Sequence, residues 1–599
     1  TFDESGSYTV RSFNVQLRDD PDDATKFIVR LDPGKAFIEG LEYETIISSD
    51  IRLDKAREVV NVNGFDRLMQ YGNFVITKEI NGLFNISTHQ TVDLHSVTGS
   101  SVVLTNPTTY VNTKIGTAKV RSIDFSSGSG TSRIINLYLY DLTMSSSNFA
   151  AVESLVVPVD SSVTPVVIQS SANIDDTGKV PGSSPASAGD AKLFETSDNT
   201  LVFKLPQDTV QTIRGLNDVI DTSYTIKRVF ESVAFTSGQA TIATAGASET
   251  FFGTGVLSAT NKREGYLAVI KSAGTSTFVT GQIVPFDTGG TIEVNGPQNT
   301  TATLNANVNT NFTADIIATI NVDSKQERIK NLVGNVVETK AAPSTVSTTS
   351  DSLNKSDIWK LKAVYDSGDI NNAAVLPTLT VGNTSDTLSP GETITGLTSG
   401  AKGTVVLGAG GTTSVTYVPV SGTFVAENVT GATSNFTKVV SSVATGDTNI
   451  TTQYELDDGQ RDNIYEHGSI KLKAGGTAPT GQIAIVFDHF THTGVGYISV
   501  DSYTASIGFD NIPKYISPVT SIEVELRDCI DFRPRRADDA TTMEGIELPY
   551  PNLNWQADYS FYQPRIDTIY LSREKSFGVH QGVAAALPVP PFRLDNTMS

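Results

Sequence analysis

Along the chain, apolar residues recur mostly at every second position in short runs. SYTVRSFNV, KFIVRL, SVVLTN, INLYLYDL, GQIAIVF, GYISVDSY and SIEVEL alternate or cluster β-branched side chains, and Gly, Asn, Asp or Pro groups separate them. Period two at this spacing predicts antiparallel strands. Three segments predict short helices instead: Arg52 to Val60 (RLDKAREVV), Asn148 to Leu155 (NFAAVESL, with Ser147 or Asn148 as N-cap) and Ser356 to Val364 (SDIWKLKAV). One hairpin is predicted residue by residue. A two-residue turn at Glu39-Gly40 pairs Ile38 with Leu41, Phe37 with Glu42 and Ala36 with Tyr43. That register puts Ala36, Ile38, Leu41 and Tyr43 on one face and Phe37 with Glu42 on the other.

The expected fold is therefore mainly β, in β-sandwich or β-barrel-like modules with a few short helices, as a multidomain scaffold interrupted by inserted β-modules. Changes in composition divide it into an N-terminal scaffold segment (1–80), a β-rich module (81–200), a connector (201–229), an inserted all-β module (230–320) and a connector with short helices (321–386). A Gly/Thr-rich β-module (387–447) and a C-terminal scaffold segment with a Pro-rich docking tail (448–599) complete it. Within 387–447 the chain echoes itself. Gly391-Glu392-Thr393-Ile394-Thr395-Gly396-Leu397-Thr398-Ser399 returns 35 residues later as Ala426-Glu427-Asn428-Val429-Thr430-Gly431-Ala432-Thr433-Ser434. Two copies fit a pseudo-symmetric β-unit; a solenoid needs three or more.

Charge narrows the function classes. With 44 Lys+Arg against 65 Asp+Glu the net charge is −21, so the chain repels a phosphate backbone on average and nucleic-acid binding is not expected. No run approaches 18 apolar residues, so no membrane insertion through a helix is expected. The opening TFDESGSYTVRSF has neither the basic nor the apolar stretch of a secretory signal. A single cysteine, Cys529, excludes an internal disulfide and reads as a small buried hydrophobe.

Catalytic motifs are sparse. There is no GxxxxGK[ST] loop, GxSxG elbow, HExxH or CxxC, so no cofactor is expected. His489 and His492 with Asp488 are a weak metal candidate against the alternative of a polar strand end. Asp19, Asp20, Asp22 and Asp23 lack the oxygen spacing of a calcium loop and read as a solvated turn. Asp457-Asp458-Gly459 reads as turn chemistry, and Asp528 with Asp531 as a carboxylate pair whose facing the sequence does not show.

Seven segments together carry a resemblance: GKAFIEGLEYE (34–44), IGTAKVR (115–121), LYLYDL (137–142), YELDDGQRDNIY (454–465), DSY (501–503), DCIDFRP (528–534) and YQPRID (562–567). In this order they resemble a family of tailed-phage virion proteins with a domain of unknown function, found in large contractile-tailed phages including cyanophages. The resemblance implies a structural component of the tail, baseplate or tail fibre. It implies a homotrimer that contacts other phage tail or baseplate proteins, made in the host cytoplasm and located in the virion. A host surface glycan is a further candidate partner. No catalytic, cofactor-binding or metal residue comes with it, and the expected protein is not an enzyme; Arg461, Asp462, Arg533 and Arg565 are expected to form ion pairs that lock the scaffold. Two competing readings are a glycan-recognising receptor-binding module, acting through 230–320 and 387–447, and a tail-borne polysaccharide depolymerase using a carboxylate pair.

Overall fold

The structure is a computed structural model. It describes residues 6–62 except 24, the strand segments 73–77, 79–81, 91–96, 113–127, 134–144, 155–159, 166–169 and 191–192, residues 201–204, and 222–598 apart from short gaps, the longest at 341–349. Among the described residues the fold is mainly β and multidomain, and its helical pieces are three-residue 3-10 turns. The chain divides into two compact units, one of Thr1–Asn63, Leu205–Asp221 and Ala557–Ser599, the other of Gly64–Lys204 and Thr222–Gln556.

In the first unit the predicted hairpin forms in the predicted register, with Lys35–Ile38 against Leu41–Glu44. Glu39 and Gly40 take φ of 46° and 83°, the doubly left-handed turn that matches the twist of two antiparallel strands. Ala36 and Ile38 are buried with Leu571, and Phe13, Tyr43 and Phe577 pack against them; Leu41, at the turn, stays 42% exposed. A second sheet orders Val15–Asp19, Lys26–Leu31 and Ser49–Asp54. The helix expected over Arg52–Val60 does not form. That segment is the end of one strand, a two-residue connection at Lys55-Ala56 and the start of another, Arg57–Val62.

The second unit begins with an antiparallel sheet in which Asn73–Thr77 and Glu79–Asn81, neighbours in sequence, pair at opposite sides, so the sheet curls back on itself. Next, Thr222–Phe235 and Phe312–Asp323 form a long ladder that Glu249–Phe251 and Leu267–Ser272 extend. Phe312–Asp323 is buried on both faces through its centre, whereas Gln239–Ala243, Thr291–Asn295 and Thr301–Asn305 of the adjoining sheet alternate buried and open positions. These are the patterns of a covered strand and of a half-buried sheet.

A frame sheet orders Ile329–Lys340, Ile483–Thr493, Ile358–Asp366 and Thr448–Asn449. Alternation sends Val364, Ile483, Ile485 and Phe487 into one core and Ala363, Tyr365, Ala484 and Val486 into another. Ser356–Val364, expected as helix, is instead the end of one strand, a kink at Asp357 and most of the frame strand Ile358–Asp366. Register shifts between Ile358 and Lys360 and between Leu361 and Ala363 break its period-two pattern, which is why it imitates a helix. The Asn148–Leu155 helix falls outside the described residues, apart from Leu155, which starts a strand.

The Gly/Thr-rich region folds as a closed barrel. Its ladder runs Thr437–Val439, Asn428–Gly431, Thr393–Gly396, Lys402–Leu407, Ser414–Ser421, Thr378–Thr380 and Ser442–Ala444. The first and last of these are one bent strand, since Val440 N–H donates to the Glu427 carbonyl and Ser441 N–H to the Thr380 carbonyl. Six strands therefore close without a free edge. The barrel takes in Thr378–Thr380, upstream of the change in composition at 387. Its two ends meet, with Val375 N–H donating to Asp447 Oδ2 at 2.7 Å and Asp447 N–H to the Val375 carbonyl at 2.8 Å. Outward-facing Val406 and Val418 pack on the frame beside Ala363 and Tyr365.

Candidate functional site

Two buried constellations of ionisable side chains stand out, and they solve the burial of charge differently. The first lies in the frame. Lys330 and His492 are opposite each other on paired strands, so both point to one face. Asp357 sits in a left-handed kink (φ 56°) between Asp351–Ser356 and Ile358–Asp366, which turns its carboxylate toward them. Lys330 Nζ is 2.8 Å from Asp357 Oδ2, and His492 Nε2 is 2.7 Å from the same oxygen. Lys330 also donates to Tyr465 Oη at 3.1 Å, and the rings of Tyr465, Tyr503 and Phe490 surround its ammonium at 4.3, 5.0 and 5.4 Å.

Tyr465 carries the network onward by donating to Asp531 Oδ2. Arg533 grips Asp531 through Nε and Nη2, with Nη2 at 2.8 Å from Oδ2. The same guanidinium donates to the Arg461 carbonyl at 2.9 Å, to Tyr465 Oη at 2.9 Å and to Gln460 Oε1 at 3.1 Å. It stacks between the rings of Tyr465 and Tyr515, and Tyr515 donates to Asp462 Oδ1 at 2.6 Å. Lys330 and Arg533 are fully buried, and Asp357 and Asp531 are 1% exposed.

Burial works against every charge here, and the partners decide each outcome. On Asp531 it is outweighed by the Arg533 guanidinium, which holds the carboxyl below its usual range. The same pairing lifts Arg533 well above the ordinary guanidinium value despite burial. On Asp357 burial loses to Lys330 and to the His492 hydrogen bond, and the carboxyl is held low. On Lys330 burial prevails and pulls the ammonium down. Burial also brings His492 down to about 3 against the pull of Asp357, so His492 is neutral and its Nε2–H donates to the carboxylate.

The second constellation lies in the barrel and explains the sequence echo. Glu392, in the first copy, accepts from the backbone N–H groups of Thr433 and Ser434 at 2.9 and 2.7 Å. Glu427, in the second copy, accepts from those of Thr398 and Ser399 at 2.6 and 2.8 Å. Each glutamate thus holds the Thr-Ser turn of the other copy. Strand pairing has the same symmetry: Thr395 faces its own equivalent, Thr430, between the pairs Ile394–Gly431 and Gly396–Val429. The glycines of the echo are explained too. A Cβ on Gly396 would lie 2.3 Å from Glu427 Oε1, and one on Gly431 2.5 Å from Glu392 Oε1. Burial raises the Glu427 carboxyl, but the hydrogen bonds from Ser399, Thr398 and Val425 outweigh it and hold it at about 2. Glu392 is lowered in the same way by Ser434, Thr433 and Ser389.

The residues singled out in the sequence distribute as follows. Asp488 pairs with Lys362 at 2.9 Å, His489 Nδ1 lies 4.0 Å from Asp538, and His492 binds Asp357; the three do not converge. Among the described residues no group of three or more His, Cys, Asp or Glu could hold a metal ion. Asp19, Asp20 and Asp22 pair with Lys55 and Arg52, and Asp23 binds Thr25 within a turn. Asp457 accepts from Gly459 N–H, with Gly459 at φ 81°, and pairs with Arg461 at 2.7 Å. Asp531 is absorbed by Arg533, and Arg565 pairs with Asp567 at 2.7 Å. Cys529 is buried, which pushes its thiol up, and it donates to the Leu526 carbonyl. Lys330, Asp357 and Tyr465 were not singled out as site residues; the only sequence signal is a lone charge inside an apolar run, as in Ile530-Asp531-Phe532-Arg533.

No protein-family model, curated protein or solved structure matches the chain.

Proposed function

We propose that the chain is a structural component of a phage tail, baseplate or tail fibre, a non-catalytic part that holds a shape and offers broad contact areas. The observation that carries this reading is the use of the most deeply buried charges. Lys330, Asp357, Tyr465, His492, Asp531 and Arg533 come from five separated segments and bind one another, fastening a frame on which a closed barrel is mounted with its two ends side by side. A rigid support carrying an inserted module suits a particle part that displays or spaces other surfaces. The seven-segment resemblance points the same way, and with it to a homotrimer in contact with other tail proteins. The test is to purify phage particles whose genome encodes the chain and label them with gold-conjugated antibody against it. Label on the tail or baseplate supports the reading, and label absent from intact and disrupted particles overturns it.

A second reading, glycan recognition, draws on a shallow cleft of about 30 Å³ that opens to solvent in the 222–323 region, lined by Arg263, Tyr266, Phe286 and Asp287 among others. Charged and aromatic groups together suit a sugar. A glycan array probed with the full chain, with Arg263→Ala as control, tests it: signal lost in the variant supports recognition there, and an empty array removes it.

A further inference from the structure

We infer that Lys330 and Asp357 are the two halves of an intramolecular isopeptide bond that this chain forms by itself. The inference stands on geometry and does not depend on a role in a tail. Lys330 Nζ and Asp357 Oδ2 are 2.8 Å apart, with both side chains shut away from solvent. Three aromatic rings, of Tyr465, Tyr503 and Phe490, close around the amine. The two oxygens of Asp357 are treated unequally. Oδ2 receives both Lys330 and His492, whereas Oδ1 is buried with no hydrogen-bond partner among the described residues. An ionised carboxylate with one bare buried oxygen is a poor resting state, because an ion pair in a low-dielectric interior offsets its desolvation only when the remaining polar atoms are satisfied. Converting the pair to a neutral amide removes both charges.

The chemistry balances within the pair. The Lys330 ammonium passes one proton to the Asp357 carboxylate, where it comes to rest on Oδ1, the oxygen not held by His492, giving an amine and a carboxylic acid with no change in total charge. The amine lone pair attacks Cγ and the C–N bond forms. His492 Nε2–H faces Oδ2, where negative charge develops in the tetrahedral adduct, and so serves as its stabilising donor. A second proton moves from nitrogen to the Oδ1 hydroxyl, the Cγ–Oδ1 bond breaks, and one water leaves; Oδ2 remains as the amide oxygen. No oxidant or co-reactant is consumed. Proximity is already supplied by the fold, which holds Lys330 on its strand and Asp357 in the kink in contact before reaction. Burial lowers the Lys330 ammonium, which favours the amine that attacks, while the held-low Asp357 makes the proton transfer the demanding step. The left-handed backbone of Asp357 is the strain expected where a side chain is aimed for a purpose.

The test is the intact mass of the purified, denatured full chain together with its tryptic map. The expected chain is lighter than its sequence mass by one water. Trypsin should not cut after Lys330, and a branched peptide should join the segment holding Lys330 to the one holding Asp357. Lys330→Met should return the chain to the full mass of its own sequence. A wild-type chain of full mass that is cleaved after Lys330 overturns the inference, as does a water loss that maps elsewhere or persists in Lys330→Met. Should the variant fail to fold, the wild-type mass and digest decide the matter alone.

Discussion

The frame and the barrel bury carboxylates by opposite means. In the frame, Asp531 and Asp357 are neutralised by cationic side chains, Asp531 by Arg533 two residues on and Asp357 by Lys330 from a neighbouring strand. In the barrel, Glu392 and Glu427 pair with no cation among the described residues and are satisfied by backbone N–H groups of the opposite copy. A countercharge is strong but brittle, since losing it leaves a buried ion alone. A cap of backbone dipoles is distributed, and no single side-chain substitution removes all of it. The frame is therefore specific and vulnerable at single positions, and the barrel tolerant and symmetric.

The sharpest way to break this contrast is Arg533→Met. It strands Asp531 and leaves Gln460 and the Arg461 carbonyl without their donor, and should destabilise the second unit by about 3–5 kcal/mol, read by chemical denaturation. Adding Asp531→Leu removes the stranded charge as well. The double variant should be more stable than Arg533→Met alone, by a coupling that a double-mutant cycle measures. Equal stability of the two would mean that Asp531 finds water or another cation, against its burial.

Acid should separate the two regions in sequence. His492 is held at about 3 in the frame, below its ordinary value near 6.5, so the unfolded chain binds more protons between those limits. The stability it confers is present above about 6.5 and falls as pH drops toward about 3, with a slope of about 1.4 kcal/mol per pH unit. At about pH 5 the frame should have lost about 2 kcal/mol. Glu427, held at about 2 against an ordinary value near 4.5, should lose its contribution only as pH falls from about 4.5 to about 2. Hydrogen exchange corrected for intrinsic rates should show the frame strands losing protection first. Loss in the barrel at a higher pH than in the frame would reverse the assignment.

How far these regions could be read from sequence follows from the same contrast. The hairpin at Ala36–Tyr43 was legible because its turn chemistry and alternation lie within eight residues. The barrel was half legible: the echo of Glu-x-Ile/Val-Thr-Gly-x-Thr-Ser shows two copies, but not that each Glu serves the other's turn, which only the crossed pairing reveals. The frame network was nearly opaque. Its members span positions 330 to 533, no period links them, and charge inside an apolar run does not name its partner. Local reading also failed at Ser356–Val364, where register shifts in the strand erased the alternation.

Symmetry supplies the next test. Gly396→Ala and Gly431→Ala each place a methyl carbon within 2.5 Å of the glutamate oxygen from the other copy. Each should weaken the barrel by about 1 kcal/mol or somewhat more, and by similar amounts, because the two sites are related by the pseudo-two-fold. Thermal denaturation compares them. A large loss at one site and none at the other would show that the repeat survives in sequence but that one cap alone holds the barrel closed.

The smallest effect should come from Arg461→Ala. The sequence grouped Arg461 with Asp462, Arg533 and Arg565 as locks of the scaffold, yet they do not share one environment. Arg533 is fully buried, whereas the Arg461 and Asp457 side chains are 34% and 41% exposed. Ion pairs open to solvent contribute only about 0.2–1 kcal/mol, since water screens them and two long side chains must be ordered. The Arg461 group that matters to the network is its carbonyl, which accepts from Arg533 and survives truncation of the side chain. A loss in Arg461→Ala as large as that in Arg533→Met would mean that the Asp457–Gly459 turn, which the guanidinium braces, positions the carbonyl beneath Arg533. The frame would then be brittle at its rim as well as in its core.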